Sequence, residues 1–503
     1  MAHALCRERA ASHDAPKVSV DKTVLIEYTY INVLYIYLRK MMKISSYIMA
    51  LGALVSALAW CGQAWAYDLS EALRSGELWA MKRARNPVEG VYMLDDDETH
   101  SKSSSSHSKL EFSTLTLGEV LFDWQEPHED EEDKADDATT DDAAEVPNKP
   151  EPRKPKLETP KANVLCRVTA MVYTRGDDNE ISMDEFNTKV KEVTALLTKV
   201  FEKKGKKGSL PVNKTGLKVN TMQWSCEHGV LRLESAVSSS KKSGKKAELI
   251  RIVMAPDRKS LDRGGASDKV GKRDLKSNVV TDEDGTIWIK DIPMIDQGDK
   301  GYCLPATVAR VFAYYGMDGV GMHEIAALCG SEAEKGTSVA AMKNTLKEIG
   351  GRFRVRIKEY PRPSLEYFDA VPLYNKEAKK HGKPELPDPR TLLGENVDWR
   401  KNMDPELWCK VRAKKTADVK KWMAPIRKSI TAGVPVLWGV FASGLYTSKE
   451  ASIGEAHMRM IIGFNPKTNT IIYSDSWGKG TAKRVMTMDQ AYSVTDGTYV
   501  IQP

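Results

Sequence analysis

The stretch from Ile295 to Gly316, IDQGDKGYCLPATVARVFAYYG, constrains the chain most, because it joins a polar, glycine-containing loop to a strongly periodic apolar segment. Val308, Val311, Phe312 and Tyr315 recur at i, i+3, i+4 and i+7, which predicts a helix with one face buried. Pro305 fits the first turn, where a missing N–H costs nothing, and Gly316 is a natural stop. Cys303 therefore falls at a helix N-terminus. Unpaired N–H groups and the positive end of the macrodipole favour thiolate over thiol there, so a depressed pKa and a reactive sulfur are expected. Gln297 offers a side-chain amide donor nearby, and Gly298 and Gly301 allow backbone and substrate to approach closely. A lone cysteine before an amphipathic helix is more often a small buried hydrophobe, so this stretch does not establish chemistry by itself.

The C-terminal end supplies the missing groups. EAHMRMIIGFNPKTNTIIYSDSWG reads as strands from His457 to Phe464 and from Thr470 to Asp475, with a turn at Asn465, Pro466 and Lys467. His457 opens the first strand and Asp475 closes the second. If the two pair as a hairpin, a base and the carboxylate that orients it come side by side. His323, at the start of a short helix, and His381, in a charged insertion, have no acceptor-bearing motif near them in sequence.

Q-x5-C at Gln297 and Cys303, A-H at Ala456 and His457 before an apolar strand, and DSWG at Asp475 to Gly478 resemble the papain-like cysteine peptidases. Within them, the pattern is similar to the branch that processes bacteriocin leaders, the double-glycine peptidases. The resemblance covers roughly residues 287–503. It implies Cys303 as nucleophile, His457 as general base and acid, and Asp475 as the residue that orients the imidazole. It also implies Gln297 and the Cys303 N–H as oxyanion donors, and Trp477 as a shield over the His–Asp contact. Gly301, Tyr302 and Trp477 are the expected substrate-side residues. GYCLP in place of the C-G-S-C-W surround of papain, and Asp in place of its Asn, set the chain apart from the plant and lysosomal enzymes. No cofactor or metal is implied.

The 503 residues carry 41% hydrophobic content, enough for two domains with cores, and a formal charge of +6, too modest to suggest a nucleic-acid partner. Residues 1–41 read as an upstream extension outside the translated protein. From Met42, Lys43 gives a positive n-region, Ile44 to Trp60 an apolar h-region, and Ala64-Trp65-Ala66 a cleavage site before Tyr67. Residues 42–66 are thus expected to be a signal peptide, with a secreted, periplasmic or cell-envelope destination. A membrane contact is expected only if that segment stays uncleaved. The mature chain would keep Cys166, Cys226, Cys303, Cys329 and Cys409. This odd number suits one free thiol and two bridges, Cys166 with Cys226 and Cys329 with Cys409, although all five reduced is the alternative.

Residues 67–161 read mostly as low-complexity linker: a serine- and histidine-rich run, an acidic run and a proline-lysine run, with only Leu110 to Trp124 apolar enough to fold or dock. His100, His107 and His128 lack the paired spacing of metal ligands. Residues 162–256 read as a small α+β domain, with a strand from Val164 to Thr174 and a helix from Met183 to Lys203. Further strands are expected from Thr221 to Ser225, Gly229 to Val237 and Glu248 to Met254. The acidic cluster from Asp177 to Glu185 fails the register of a calcium loop, and Ser182-x-x-Glu185 is a capping box instead. Residues 257–286 read as a second linker, whose Gly271-Lys272 lacks the glycine spacing of a phosphate loop.

Within 287–503, a helix is expected from Val339 to Ile349, ended by Gly350 and Gly351. The insertion from Tyr360 to Ala413 shows no core period. A helix from Ala417 to Ala432, a buried strand from Val434 to Phe441 and a last strand from Gly497 to Gln502 complete the pattern. The expectation is an α+β protein: a papain-like catalytic domain whose N-terminal helix bears Cys303 and packs on an antiparallel sheet bearing His457 and Asp475, preceded by a small α+β domain. That domain is expected to inhibit as a pro-domain or to dock substrate. The expected activity is hydrolysis of peptide or protein substrates. Acyl transfer of the transglutaminase or amidase kind, or a silent binding module on the same fold, are the rivals.

Overall fold

The computed structural model describes residues 67–83, 93–95, 100–103, 110–125, 163–210, 217–240, 244–262, 275–298, 301–317, 321–331, 337, 339–392, 398–446 and 456–503. The expected upstream extension, signal peptide, cleavage site and Gly271-Lys272 lie outside them, as does residues 126–162 of the linker. The described residues form one unit with two large sheets. Among the described residues no helix is long and apolar enough to cross a membrane, and no cluster of three metal-ligating side chains occurs.

The N-terminal half is built on an eight-stranded sheet: β1 (Met93–Asp95), β2 (His100–Ser103), β3 (Val120–Gln125), β4 (Val164–Thr174), β5 (Lys206–Ser209), β6 (Lys218–Cys226), β7 (Gly229–Ser240) and β8 (Gly244–Ala255). Their spatial order is β1-β2-β3-β4-β8-β7-β6-β5. Helix α1 (Leu69–Ser75) is capped by the Asp68 carboxylate, which accepts from the N–H groups of Ser70 and Ser113. Helix α2 (Met183–Val200) opens on the Ser182/Glu185 capping box and buries Phe186, Val193 and Leu197 on its inward face.

Two pieces of residues 67–161 thus contribute to this half: the stretch from Leu110, expected to be able to fold or dock, and the stretch from Leu69, expected as linker. Leu69, Leu73 and Leu78, and Leu110, Phe112, Val120 and Phe122, are in one core with Leu165, Val168 and Ile252. Their apolar side chains are few and far apart in sequence, and the sheet supplies the partners that local composition hides.

The C-terminal half carries β9 (Val279–Thr281), β10 (Ile287–Ile289), β11 (Arg356–Glu359), β12 (Val436–Val440), β13 (His457–Asn465), β14 (Thr470–Ser474), β15 (Arg484–Thr487) and β16 (Thr495–Gln502). The main order is β9-β10-β13-β12-β16-β11, with β14 paired to β13 and β15 to β14. Helix α3 (Cys303–Tyr314) lies against β13 and is buried almost all round, as its apolar composition requires. Fully burying a side chain such as Val308 or Phe312 stabilises the fold by about 1.5–3 kcal/mol. Gly316 follows with φ +65°, and the Met317 N–H returns to the Phe312 carbonyl to close the helix end. Around it stand α4 (Met322–Cys329), α5 (Val339–Phe353), α6 (Tyr367–Lys380), α7 (Pro405–Arg412), α8 (Thr416–Thr431) and α9 (Met488–Val494).

Several expectations are corrected. Gly350 and Gly351 lie inside α5, which runs on until Phe353 packs at a tilt against Phe312, their ring centroids 4.7 Å apart. The insertion is not coreless: α6 buries Ala370, Val371, Tyr374 and Ala378, and α7 buries Trp408, all in the same core as α3. The second linker ends early, since Leu275 already packs in that core and β9 joins the sheet. Among the described residues, Cys166, Cys226, Cys303, Cys329 and Cys409 form no disulfide. Cys166 on β4 and Cys226 on β6 have β8 and β7 between them, about 14 Å of sheet, whereas a bridge needs Cα atoms within about 7 Å.

Candidate active site

Three polar residues on one face of α3 determine where the thiol sits. Cys303 is the first helical residue. One turn on, the Thr307 hydroxyl meets the Cys303 carbonyl at 2.7 Å and the Met458 carbonyl at 3.3 Å, tying the helix start to β13 beside His457. Another turn on, the buried Arg310 donates from Nε to the Pro293 carbonyl at 2.8 Å, from Nη1 to the Asp475 carbonyl at 3.0 Å and from Nη2 to Ser474 Oγ at 2.6 Å. This buried, largely apolar helix thus uses its few polar positions to grip the ends of β13 and β14.

The β13–β14 hairpin brings His457 and Asp475 together. Met460 pairs with Ser474, so residues at the start of one strand lie beside those after the end of the other. His457 Nε2 lies 2.5 Å from Asp475 Oδ1, both side chains being buried. The same carboxylate oxygen accepts from the Ser476 N–H at 2.9 Å. Its other oxygen, Oδ2, accepts from Arg459 Nε at 2.8 Å, and Arg459 Nη2 donates to the Ser443 carbonyl at 2.7 Å. Burial opposes ionisation of Asp475, but His457 and Arg459 outweigh it and hold the carboxyl far below the usual range. Trp477 stacks on His457 with centroids 4.7 Å apart while remaining 46% exposed, so its ring covers the imidazole from solvent.

The thiol and the imidazole shift in opposite directions. Burial pushes the Cys303 thiol up, yet the hydrogen bond and charge of His457, with the Met458 and Leu304 N–H groups, bring it below the ordinary thiol value. Burial pushes His457 down, yet its hydrogen bonds to Asp475 and Cys303 raise it to about 9. With Nε2 committed to Asp475, Nδ1 is left for the sulfur. A thiolate beside an imidazolium is the state this environment favours. By contrast, burial pushes Cys329 up to about 12 and Cys409 up to about 11.

Gln297 comes to the same place by a loop-to-loop contact. Its N–H donates to the Ser476 carbonyl at 2.8 Å, and its Oε1 accepts from Ser476 Oγ at 2.6 Å. That contact fixes the amide so that Nε2 is directed away from Ser476. Gly478, at φ +77°, packs so closely on Asp296 that a Cβ would lie 2.9 Å from Oδ2.

The structure therefore brings Cys303, His457, Asp475, Gln297 and Trp477 together. Tyr302 is a correction. Its side chain is 1% exposed and turned away from the site, stacked edge-on against His323 with centroids 5.5 Å apart, so it cannot line a substrate surface. Gly301 is partly buried just before it. His323 is not without an acceptor either: Glu119 Oε1, 204 residues away in sequence, lies 3.3 Å from its Nε2. Arg459, Arg310, Thr307 and Ser476 escaped sequence reasoning. The signal for Arg459 was present, since a charged residue in the run HMRMII, two positions after His457, falls on the same strand face as that histidine.

Residues 289–499 match the family model described as the "Peptidase_C39 like family". No curated protein matches the chain. Among solved structures, the chain is similar to xylellain, a cysteine protease from Xylella fastidiosa, at 12% sequence identity. That likeness covers 45% of this chain and 88% of that one, with a TM-score of 0.23.

Proposed function

We propose that this papain-like cysteine peptidase hydrolyses peptide bonds through a Cys303–His457–Asp475 triad. The observation that carries the reading is the geometry: Cys303 opens a helix tied by Thr307 to the Met458 carbonyl beside His457, and His457 has a buried carboxylate 2.5 Å from its Nε2, an environment that lowers the thiol and raises the imidazole. The Cys303 thiolate attacks the scissile carbonyl carbon, and the electron pair moves to the carbonyl oxygen. As the tetrahedral species collapses, His457 gives its proton to the departing amine, leaving a thioester on Cys303. His457, now neutral, takes a proton from water. The hydroxide adds to the thioester carbonyl, and the acid leaves as the thiolate and imidazolium return.

Gln297 Nε2 and the Cys303 N–H are the proposed donors to the oxyanion, supported by the Ser476 contact that fixes the amide. Asp475 keeps the imidazole in the right orientation. Trp477 keeps water from the His–Asp contact and borders the substrate, with Gly301 beside it. We also propose that the protein is exported, on the signal-peptide pattern of residues 42–66. N-terminal sequencing of secreted protein tests this, and a first residue far from Tyr67 would exclude it.

A fluorogenic peptide library, with Cys303→Ala and His457→Ala as controls, tests the reaction. Turnover by the parent and none by either variant is expected. Retained cleavage in Cys303→Ala would overturn the assignment. Amine incorporation without cleavage would move the chemistry to acyl transfer, and no adduct with a thiol-reactive peptide probe would leave a silent fold.

A further inference from the structure

The residue that precedes the nucleophile is held by the other half of the molecule. Tyr302 is the N-cap of α3: its carbonyl accepts from the Ala306 N–H at 2.8 Å, so moving Tyr302 moves the first turn on which Cys303 stands. Its hydroxyl lies beside Thr174, the last residue of β4 in the N-terminal half. Its ring lies directly over Gly176, where a Cβ would fall 2.2 Å from the hydroxyl oxygen and 2.6 Å from the ring edge. No larger residue fits there without displacing the tyrosine. Three further contacts cross the same seam onto α4 and the residues after it. Glu119 meets His323, Arg251 donates to Glu324 at 2.7 Å, and Arg175 donates to the Ser331 carbonyl at 3.3 Å while also pairing with Glu248.

We infer that the corner Thr174–Gly176 positions the nucleophile through Tyr302, so that the N-terminal half works as a permanent part of the catalytic apparatus. Tyr302 is a positioning residue, since it points away from the site and touches no reacting atom. The sulfur of Cys303 must meet His457 across a short, directional contact, and a displacement of about 1 Å in such a geometry costs on the order of a hundredfold in rate. A removable inhibitor would cover the thiol. This half instead grips the residue behind it.

The inference rests on Cys303 as nucleophile, and the test keeps the two apart. The full chain is made as Gly176→Ala, Tyr302→Phe and Thr174→Val. For each, kcat and KM are measured on a fluorogenic peptide, and the rate of iodoacetamide alkylation at Cys303 is followed against pH by peptide mapping. Gly176→Ala is expected to lower kcat at least tenfold with KM within about twofold, and to move the alkylation midpoint of Cys303 up toward that of an ordinary thiol. Tyr302→Phe and Thr174→Val are expected to lower kcat several-fold with the same direction of midpoint shift. A purely structural tyrosine would lower thermal stability and leave the midpoint where it is, and an unmoved midpoint in the folded variants overturns the inference. If Gly176→Ala fails to fold, the two hydroxyl-deleting variants decide alone. If Cys303→Ala keeps turning over peptide, the nucleophile assignment falls, while the alkylation midpoint still reports whether Thr174–Gly176 governs this thiol.

Discussion

Arg459 and Asp475 form a buried pair at 2.8 Å, on the carboxylate oxygen opposite the one that faces His457. The carboxylate thus has a cation on each side when His457 is protonated, and its orientation is set by Arg459 as much as by the imidazole. The same guanidinium reaches the Ser443 carbonyl, so the loop after β12 is tied to the site by one side chain.

Arg459→Met should therefore cost more than packing. Removing one partner of a buried ion pair destabilises by about 3–5 kcal/mol because the other charge is left unpaired. Denaturant unfolding should show that loss, with a fall in kcat. Arg459→Lys keeps the charge but lacks the planar fork that reaches both Asp475 and Ser443, so an intermediate effect is expected. Unchanged unfolding and kcat in Arg459→Met would show that the pair contributes nothing.

The pH dependence follows from the shifted groups. The proposed mechanism needs the thiolate and the imidazolium together, so kcat/KM should rise as Cys303 loses its proton below the ordinary thiol range, and fall as His457 loses its proton at about 9. Asp475 raises His457, so Asp475→Asn should keep partial activity and move the alkaline limb to lower pH. A parent profile with no alkaline limb, or an alkaline limb that moves upward in Asp475→Asn, contradicts this ordering.

Gln297→Ala should lose about two to three orders of magnitude in kcat with little change in KM, as expected for one oxyanion donor. Ser476→Ala leaves the amide present but releases its Oε1 partner. A smaller loss, about tenfold, is expected because orientation alone is weakened. Equal kcat in all three proteins would remove Gln297 from the reaction.

Trp477 is nearly half exposed, so Trp477→Ala should leave stability within about 1 kcal/mol. Its loss lets water onto the His457–Asp475 contact, where a higher local dielectric weakens the interaction. A several-fold lower kcat and a lower alkaline limb are the expected readouts, and an unaltered profile would make the stack ornamental.

The helix at Cys303 and the hairpin at His457 were legible because periodicity, caps and turn residues all sit within some twenty residues of each other. The strand Val164–Thr174 matched its expected bounds for the same reason. The insertion was opaque: Ala370, Val371, Tyr374 and Ala378 do keep a helical spacing, but Pro372 and the surrounding charges obscure it. Tyr302 was misread because an aromatic next to a nucleophile resembles a cleft wall, and its burial comes from Gly176, far away in the chain. The Cys166–Cys226 pair failed on strand order, since neighbours in sequence are not neighbours in a sheet that runs β4-β8-β7-β6.

The hairpin that joins His457 to Asp475 is local, whereas the thiol it is proposed to activate comes from a helix 154 residues earlier in the sequence. Burial alone raises the pKa of this sulfur, and His457 is what reverses the sign. A chain whose helix has not yet docked therefore carries Cys303 as an ordinary exposed thiol, with neither the burial nor the imidazole that shift it in the fold. The proposed chemistry depends on the long-range docking of that helix on the hairpin.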